Sequence, residues 1–419
     1  MKVSKIETIR VGEFPGIIWV QVHTDTGLVG LGETWYAAST VQAAIHDHFG
    51  PLLIGRDPCA VERHWQTMFA LSDHAGYGGA EMRAISALDM ALWDIKGQAA
   101  GVPVYEMLGG AYRHKIRVYN TGAPYEGCGE LAKQLLDEGI TAMKMGPTIP
   151  LALETNGQYL SPTDLDRALK PIREVRDAAG MAMQIANDSE CTAFRGHGKW
   201  NLPCAIRIAQ AMEPYELMWQ EDLMPLLNFE ALGRLQSSTK TPICISERLL
   251  SRWQLRPYIE SGAARIVMPD LIWTGGISET HKIAILASAH QVPVAPHDAT
   301  GPVNIFACAH ICMNAPNAMI MEHVRDFHRG WYGRFVDPNV DIRGGYLYAP
   351  QRPGIGTRLR PEIRERADAI VAISDEPRDS LIENWVPGAA VSERMRAELE
   401  EMYRFRVGTQ EDQAGSVRP

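Results

Sequence analysis

From about residue 116 the chain carries eight short apolar runs: "IRVYNT", "TAMKM", "AMQIAN", "ELMWQE", "PICISE", "RIVMPD", "VPVAPH" and "AMIMEH". The stretches between them have apolar residues at helical spacing. Buried strands alternating with helices imply parallel βαβ units, and eight such strands close naturally into a barrel. No Gly-x-Gly-x-x-Gly fingerprint follows the first run, which disfavours a doubly wound nucleotide-binding sheet.

The rest of the chain has a different texture. Residues 2–33 alternate apolar and polar side chains ("KIETIRV", "IIWVQVHT", then "LVGLGE" after the turn "DTG"), the pattern of a small antiparallel sheet. Helical patterns follow in "STVQAAIHDHFGPLL", "CAVERHWQTMFAL" and "GAEMRAISALDMALWDIKGQAAG", the last ending on glycine. After "YLYAPQRPGIGTRL" the sequence becomes charged and reads as helical to residue 419. The expected organisation is α/β: an α+β domain over 1–115, a barrel over 116–345, and a segment 346–419 that returns to the first domain and ends in a tail.

Composition narrows the setting. A chain of 419 residues that is 46% apolar suits two packed domains. Its seven cysteines are odd in number and form no C-x-x-C pair, which argues against a disulfide framework and a zinc knuckle and fits a cytoplasmic protein. No apolar leader opens the chain, and no stretch is long enough to span a membrane. The net charge of -9, with Lys and Arg dispersed, gives no nucleic-acid footprint, so an anionic substrate must meet a local cation.

In such barrels chemistry gathers at the C-terminal ends of the strands. The polar residues there are Lys144, Asp188 or Asn187, Glu221, Glu247, Asp270, His297 and Glu322. From Asp188 onward the separations are 33, 26, 23, 27 and 25 residues, each about one βα unit, so these side chains converge on one mouth. Crowded carboxylates raise one another's pKa unless a cation neutralises them. Three at adjacent strand ends point to a divalent metal, and hard oxygen donors favour Mg²⁺ over zinc.

On these residues the chain resembles the enolase superfamily, in its mandelate racemase subgroup and especially the acid-sugar dehydratases. The similar stretches are "GLVGLGETWY", "ISALDMALWDIKGQAAGVPVYEMLGG", "WQED", "ISER", "PDLIWTGGISE", "APHDATGP" and "PGIGT". The resemblance implies an α+β capping domain, a modified TIM barrel of the (β/α)₇β type, and Mg²⁺ held by Asp188, Glu221 and Glu247. It further implies that Asp270 orients His297 as the base, and that a protonated Glu322 hydrogen-bonds a substrate carboxylate. Trp35, Tyr36 and Tyr77 fall in segments like the family's capping loops and would shape specificity. Asn187 remains an alternative to Asp188, which only strand register can decide.

Two departures matter. Strand two of the subgroup commonly ends in Lys-x-Lys, whereas this chain reads Lys144, Met145, Gly146, which disfavours a two-base racemase. An insertion follows strand three in "IANDSECTAFRGHGKWNLP", where His197 is a candidate acid. The reading is a lyase that abstracts the α-proton of a sugar acid and eliminates the β-hydroxyl to leave a 2-keto-3-deoxy acid. A one-base epimerase or cycloisomerase, or a metabolite-binding barrel without turnover, is the alternative. A homo-oligomer is expected from the same resemblance.

Overall fold

A computed structural model describes residues 1–189, 199–377 and 401. The chain forms two compact units, one of residues 1–104, 353–355 and 359 onward, the other of residues 105–352 and 356–358.

In the first unit β1 (Val3–Val11), β2 (Ile17–Thr24) and β3 (Val29–Trp35) form an antiparallel sheet. A fourth strand, Ala369–Ser374, pairs antiparallel with β1. The charged segment after residue 359 reads as helical in the sequence, but the described residues 346–377 form no long helix. They instead carry the short strands Tyr346–Tyr348, Arg358–Leu359 and Ala369–Ser374, with a single 3₁₀ turn at Pro361–Ile363. The β-branched core of "AIVAIS" and an available sheet edge at β1 outweigh the charged surroundings. The long helix Gly79–Ala100 lies against β3. Gly30 and Gly32 allow this approach, since a Cβ there would stand 2.0 Å from the Ala91 carbonyl and 1.9 Å from that of Ala87.

The second unit holds the parallel strands β4 (Lys115–Asn120), β5 (Ala142–Met145), β6 (Gln184–Asp188), β7 (Gln220–Glu221), β8 (Ile243–Ile245) and β9 (Ile266–Val267) in that order. The seventh position is held by Val294, which bridges Val267 on one side and Ala318 on the other. β10 (Met321–His323) then pairs with β4 and closes the barrel. Helices restart after the strands at side-chain caps. Ser161 and Asp164 form a capping box on Pro162–Ala179, and Asn201 and Asn228 each accept a backbone N–H at the start of the next helices.

The barrel interior is filled by Tyr119, Ala142, Ala186, Trp219, Cys244, Ile266, Met268, Ala295 and Ile320. Strand side chains alternate, so the residues two positions further along face the same interior one layer higher. Two positions beyond Ala142, Ala186, Trp219, Met268, Ala295 and Ile320 stand Lys144, Asp188, Glu221, Asp270, His297 and Glu322.

Candidate active site

The layer rule separates Asp188 from its neighbour. Asp188 shares parity with Ala186 and lies 3.5 Å from the Lys144 ammonium. Asn187 points the other way, and its Nδ2 donates to Gln220 Oε1 at 2.7 Å. Glu247 breaks the period, coming three residues after Cys244 because β8 ends at Ile245.

Lys144 is the buried cation of the cluster. Its Nζ stands 2.9 Å from Glu322 Oε1 and 3.2 Å from Glu221 Oε1. Burial disfavours its charge, but Glu221, Glu322 and Asp188 outweigh that and hold its pKa well above the usual lysine value. Trp219 Nε1 donates to Glu221 Oε2 at 3.1 Å. Across the mouth His297 Nδ1 meets Asp270 Oδ2 at 2.7 Å. Its Nε2 is 3.7 Å from Glu322 and 4.0 Å from Glu247. Burial opposes protonation of this imidazole, yet Glu322, Glu247 and Asp270 together raise its pKa well above the ordinary range.

The carboxyls divide into two kinds. Burial pushes Glu322 up, but Lys144, His297 and the Asp298 N–H prevail and hold it at about 2. The Lys144 ammonium beside Glu322 favours the charged form of its carboxyl, whereas the resemblance implies a protonated group. Burial dominates at the other three and raises Asp188, raises Glu221 well above the carboxylate range, and lifts Glu247 to about 7. These three lie at the ends of adjacent strands, and the nearby Lys144 and His297 offset only part of the effect of burial on them. Their donor chemistry fits a hard divalent cation. Among the described residues no three His, Cys, Asp or Glu side chains converge at ligand spacing, and Lys144 stands between them.

Further groups belong to this end of the barrel that the sequence reading missed. Asp222, buried and with a positive φ of 53°, accepts Lys199 Nζ at 2.7 Å and lies 3.0 Å from Arg248 Nε. The pairs "ED" and "ER" following the strand-end glutamates are the signal that could have found Asp222 and Arg248. The missing second lysine has a steric explanation. A Cβ on Gly146 would lie 2.3 Å from Ile149 Cδ1 and 3.0 Å from the Asp188 carbonyl, so Ile149 fills the space.

Three expected residues lie in the first unit. Trp35 ends β3 with its ring 5.6 Å from that of Tyr36, which has a positive φ of 75°. Tyr77 stacks on Phe69 at 4.7 Å. His197 lies outside the described residues.

Sequence comparisons agree with this geometry. The profile described as "Mandelate racemase / muconate lactonizing enzyme, N-terminal domain" matches residues 10–109, and "Enolase C-terminal domain-like" matches 127–363. A D-galactonate dehydratase of Variovorax paradoxus is 35% identical over 371 residues, covering 86% of this chain and 93% of its own. A D-xylonate dehydratase of Haloferax volcanii is 30% identical, covering 85% and 87%. Among solved structures, an enolase of the mandelate racemase subgroup from Agrobacterium tumefaciens is 41% identical with a TM-score of 0.83, covering 90% of this chain and 99% of its own.

A closed parallel barrel with acids, a lysine and a His–Asp pair at its strand ends, matched by both domain profiles, belongs to the enolase superfamily, and this chain is a member of its mandelate racemase subgroup. Within that subgroup its agreement with dehydratases over most of its length makes it a hydro-lyase.

Proposed function

We propose that the chain removes the proton α to the carboxylate of an aldonate or aldarate with His297, then expels the β-hydroxyl to give a 2-keto-3-deoxy acid. The observation that carries this reading is the 2.7 Å contact between His297 Nδ1 and Asp270. With Nδ1–H donated to Asp270, Nε2 faces the acid-lined mouth; the carboxylates that raise the imidazole's pKa make it a stronger base, and His297 takes the proton from its neutral form. Asp270, Glu322 and Glu247 stabilise the imidazolium that results.

Lys144 is the side chain suited to meet negative charge growing on the substrate carboxylate, because it is buried and held protonated. Mg²⁺ held by Asp188, Glu221 and Glu247 would supply, when bound, further positive charge to the same oxygens. Proton transfer from His297 to the departing hydroxyl releases water and restores the neutral imidazole. The remaining enol gives up its O–H proton, takes one at C3 and becomes the ketone. The relatives named for D-galactonate and D-xylonate support a sugar acid as the substrate class.

The test is incubation with Mg²⁺ and a panel of aldonates and aldarates, with His297→Asn beside the wild type. The wild type should form a 2-keto-3-deoxy acid from at least one member. The variant should be slower by about 10²–10⁴-fold, the usual contribution of a general base. Exchange of the α-proton without loss of water would indicate an epimerase. Neither exchange nor product from any acid would overturn the reading in favour of a binding protein.

A further inference from the structure

Asn304 is the first residue of the helix Asn304–Asn314, which follows the seventh barrel position. Its side chain is fully buried. The Nδ2 group lies 3.2 Å from Asp270 Oδ1, 3.1 Å from Asp298 Oδ1 and 3.2 Å from the His297 carbonyl. An amide nitrogen has two hydrogens, so these acceptors share them. The amide orientation follows from those three oxygen acceptors around Nδ2, with Oδ1 turned to the Cys308 thiol at 3.7 Å.

The consequences fall on both halves of the site. Asp270 Oδ1 is occupied by Asn304 and by the Ile272 N–H at 3.0 Å, which leaves Oδ2 for the imidazole. Asp298, whose carboxylate Asn304 holds, donates its backbone N–H to Glu322 Oε2 at 3.0 Å. One amide thus links the orienting carboxylate, the backbone of the base and the loop that fixes Glu322. A carboxylate held on one oxygen by two donors cannot swing, and the imidazole bonded to its other oxygen inherits that orientation.

We infer that Asn304 is a positioning residue: it fixes Asp270, and through Asp270 the tautomer and direction of His297. The inference rests on the reading of His297 as the base, but its structural half can be tested without substrate. In proton NMR of the wild-type protein, the Nδ1–H of His297 should give a downfield resonance, assigned by its loss in His297→Asn. In Asn304→Ala, or in Asn304→Ser if the alanine variant does not fold, that resonance should shift or broaden while circular dichroism stays native. On a sugar acid that the wild type dehydrates, the same variant should lose kcat on the order of 10-fold or more, with KM within about twofold.

A native resonance in a folded variant overturns the inference, whether kcat is kept or falls. A changed resonance with unchanged kcat overturns its catalytic half. If no acid is turned over by the wild type, the proposed function fails, and the resonance alone still decides whether Asn304 holds the pair.

Discussion

At the scale of single residues, the site is governed by a shortage of positive charge. Lys144 is shared among Glu322, Glu221 and Asp188, and it is buried with the two glutamates, while Asp188 is partly exposed. Replacing it with methionine keeps much of the volume and removes the cation, leaving the acids without their partner in a low-dielectric setting. Removing one partner from a buried ionic cluster costs about 3–5 kcal/mol. Lys144→Met is therefore expected to lower the thermal midpoint of the barrel unit at pH 7, beyond its effect on turnover. A melting curve that overlays the wild type would show that the acids are neutral without Lys144. Most of these residues were legible, because each closes an apolar run with a polar side chain. The choice between Asp188 and Asn187 was not, since neighbours on a strand differ only in face; the burial of Ala186 in the barrel layer decides it. Asn304 and Asp298 gave no spacing signal, for their importance lies in one buried amide reaching three acceptors.

At the scale of elements, the close approach of β3 to the helix Gly79–Ala100 is built from paired periods. Gly30 and Gly32 share one face of the strand, while Ala87 and Ala91 are one turn apart on the helix. Gly32→Ala would drive a methyl into the Ala87 carbonyl, and overpacking of this kind costs about 1–3 kcal/mol. Gly233 is the opposite case. It lies inside the helix Phe229–Ser237, and apart from its chain neighbours and the helix backbone no atom comes within 4 Å of an added Cβ. Gly233→Ala should stabilise by about 0.5–1 kcal/mol through helix propensity alone. Thermal melts of the two variants should move in opposite directions; a fall in both would mean that the Gly233 helix is not solvent-facing at that point. The alternating strands at the N-terminus were readable from periodicity. The strand Ala369–Ser374 was not, because charged flanks on both sides masked a six-residue run whose state depends on the edge of β1.

At the scale of the whole molecule, the barrel was readable because eight runs recur at one βα spacing, whereas the acid sensitivity of the fold was not. It depends on which histidines the fold dehydrates. His323, beside Glu322 on the closing strand, is almost wholly buried and places Nδ1 3.1 Å from the Tyr119 carbonyl. Burial lowers its pKa from 6.5 to about 4, with His328 and Arg329 acting in the same direction. A base with a depressed folded-state pKa protonates first in the unfolded chain, so protonation favours unfolding. The contribution of His323 is complete above pH 6.5, declines as pH falls, and is lost by about pH 4. Over that span a shift of this size corresponds to about 3 kcal/mol. His323→Asn keeps an N–H able to reach the Tyr119 carbonyl but cannot titrate. Urea midpoints measured from pH 7.5 to pH 4.5 should fall less steeply in the variant, with the two curves parting below pH 6.5. Parallel curves through that window would mean that His323 carries the same charge in the folded and unfolded chains, and that acid unfolding is driven by the carboxyl groups instead.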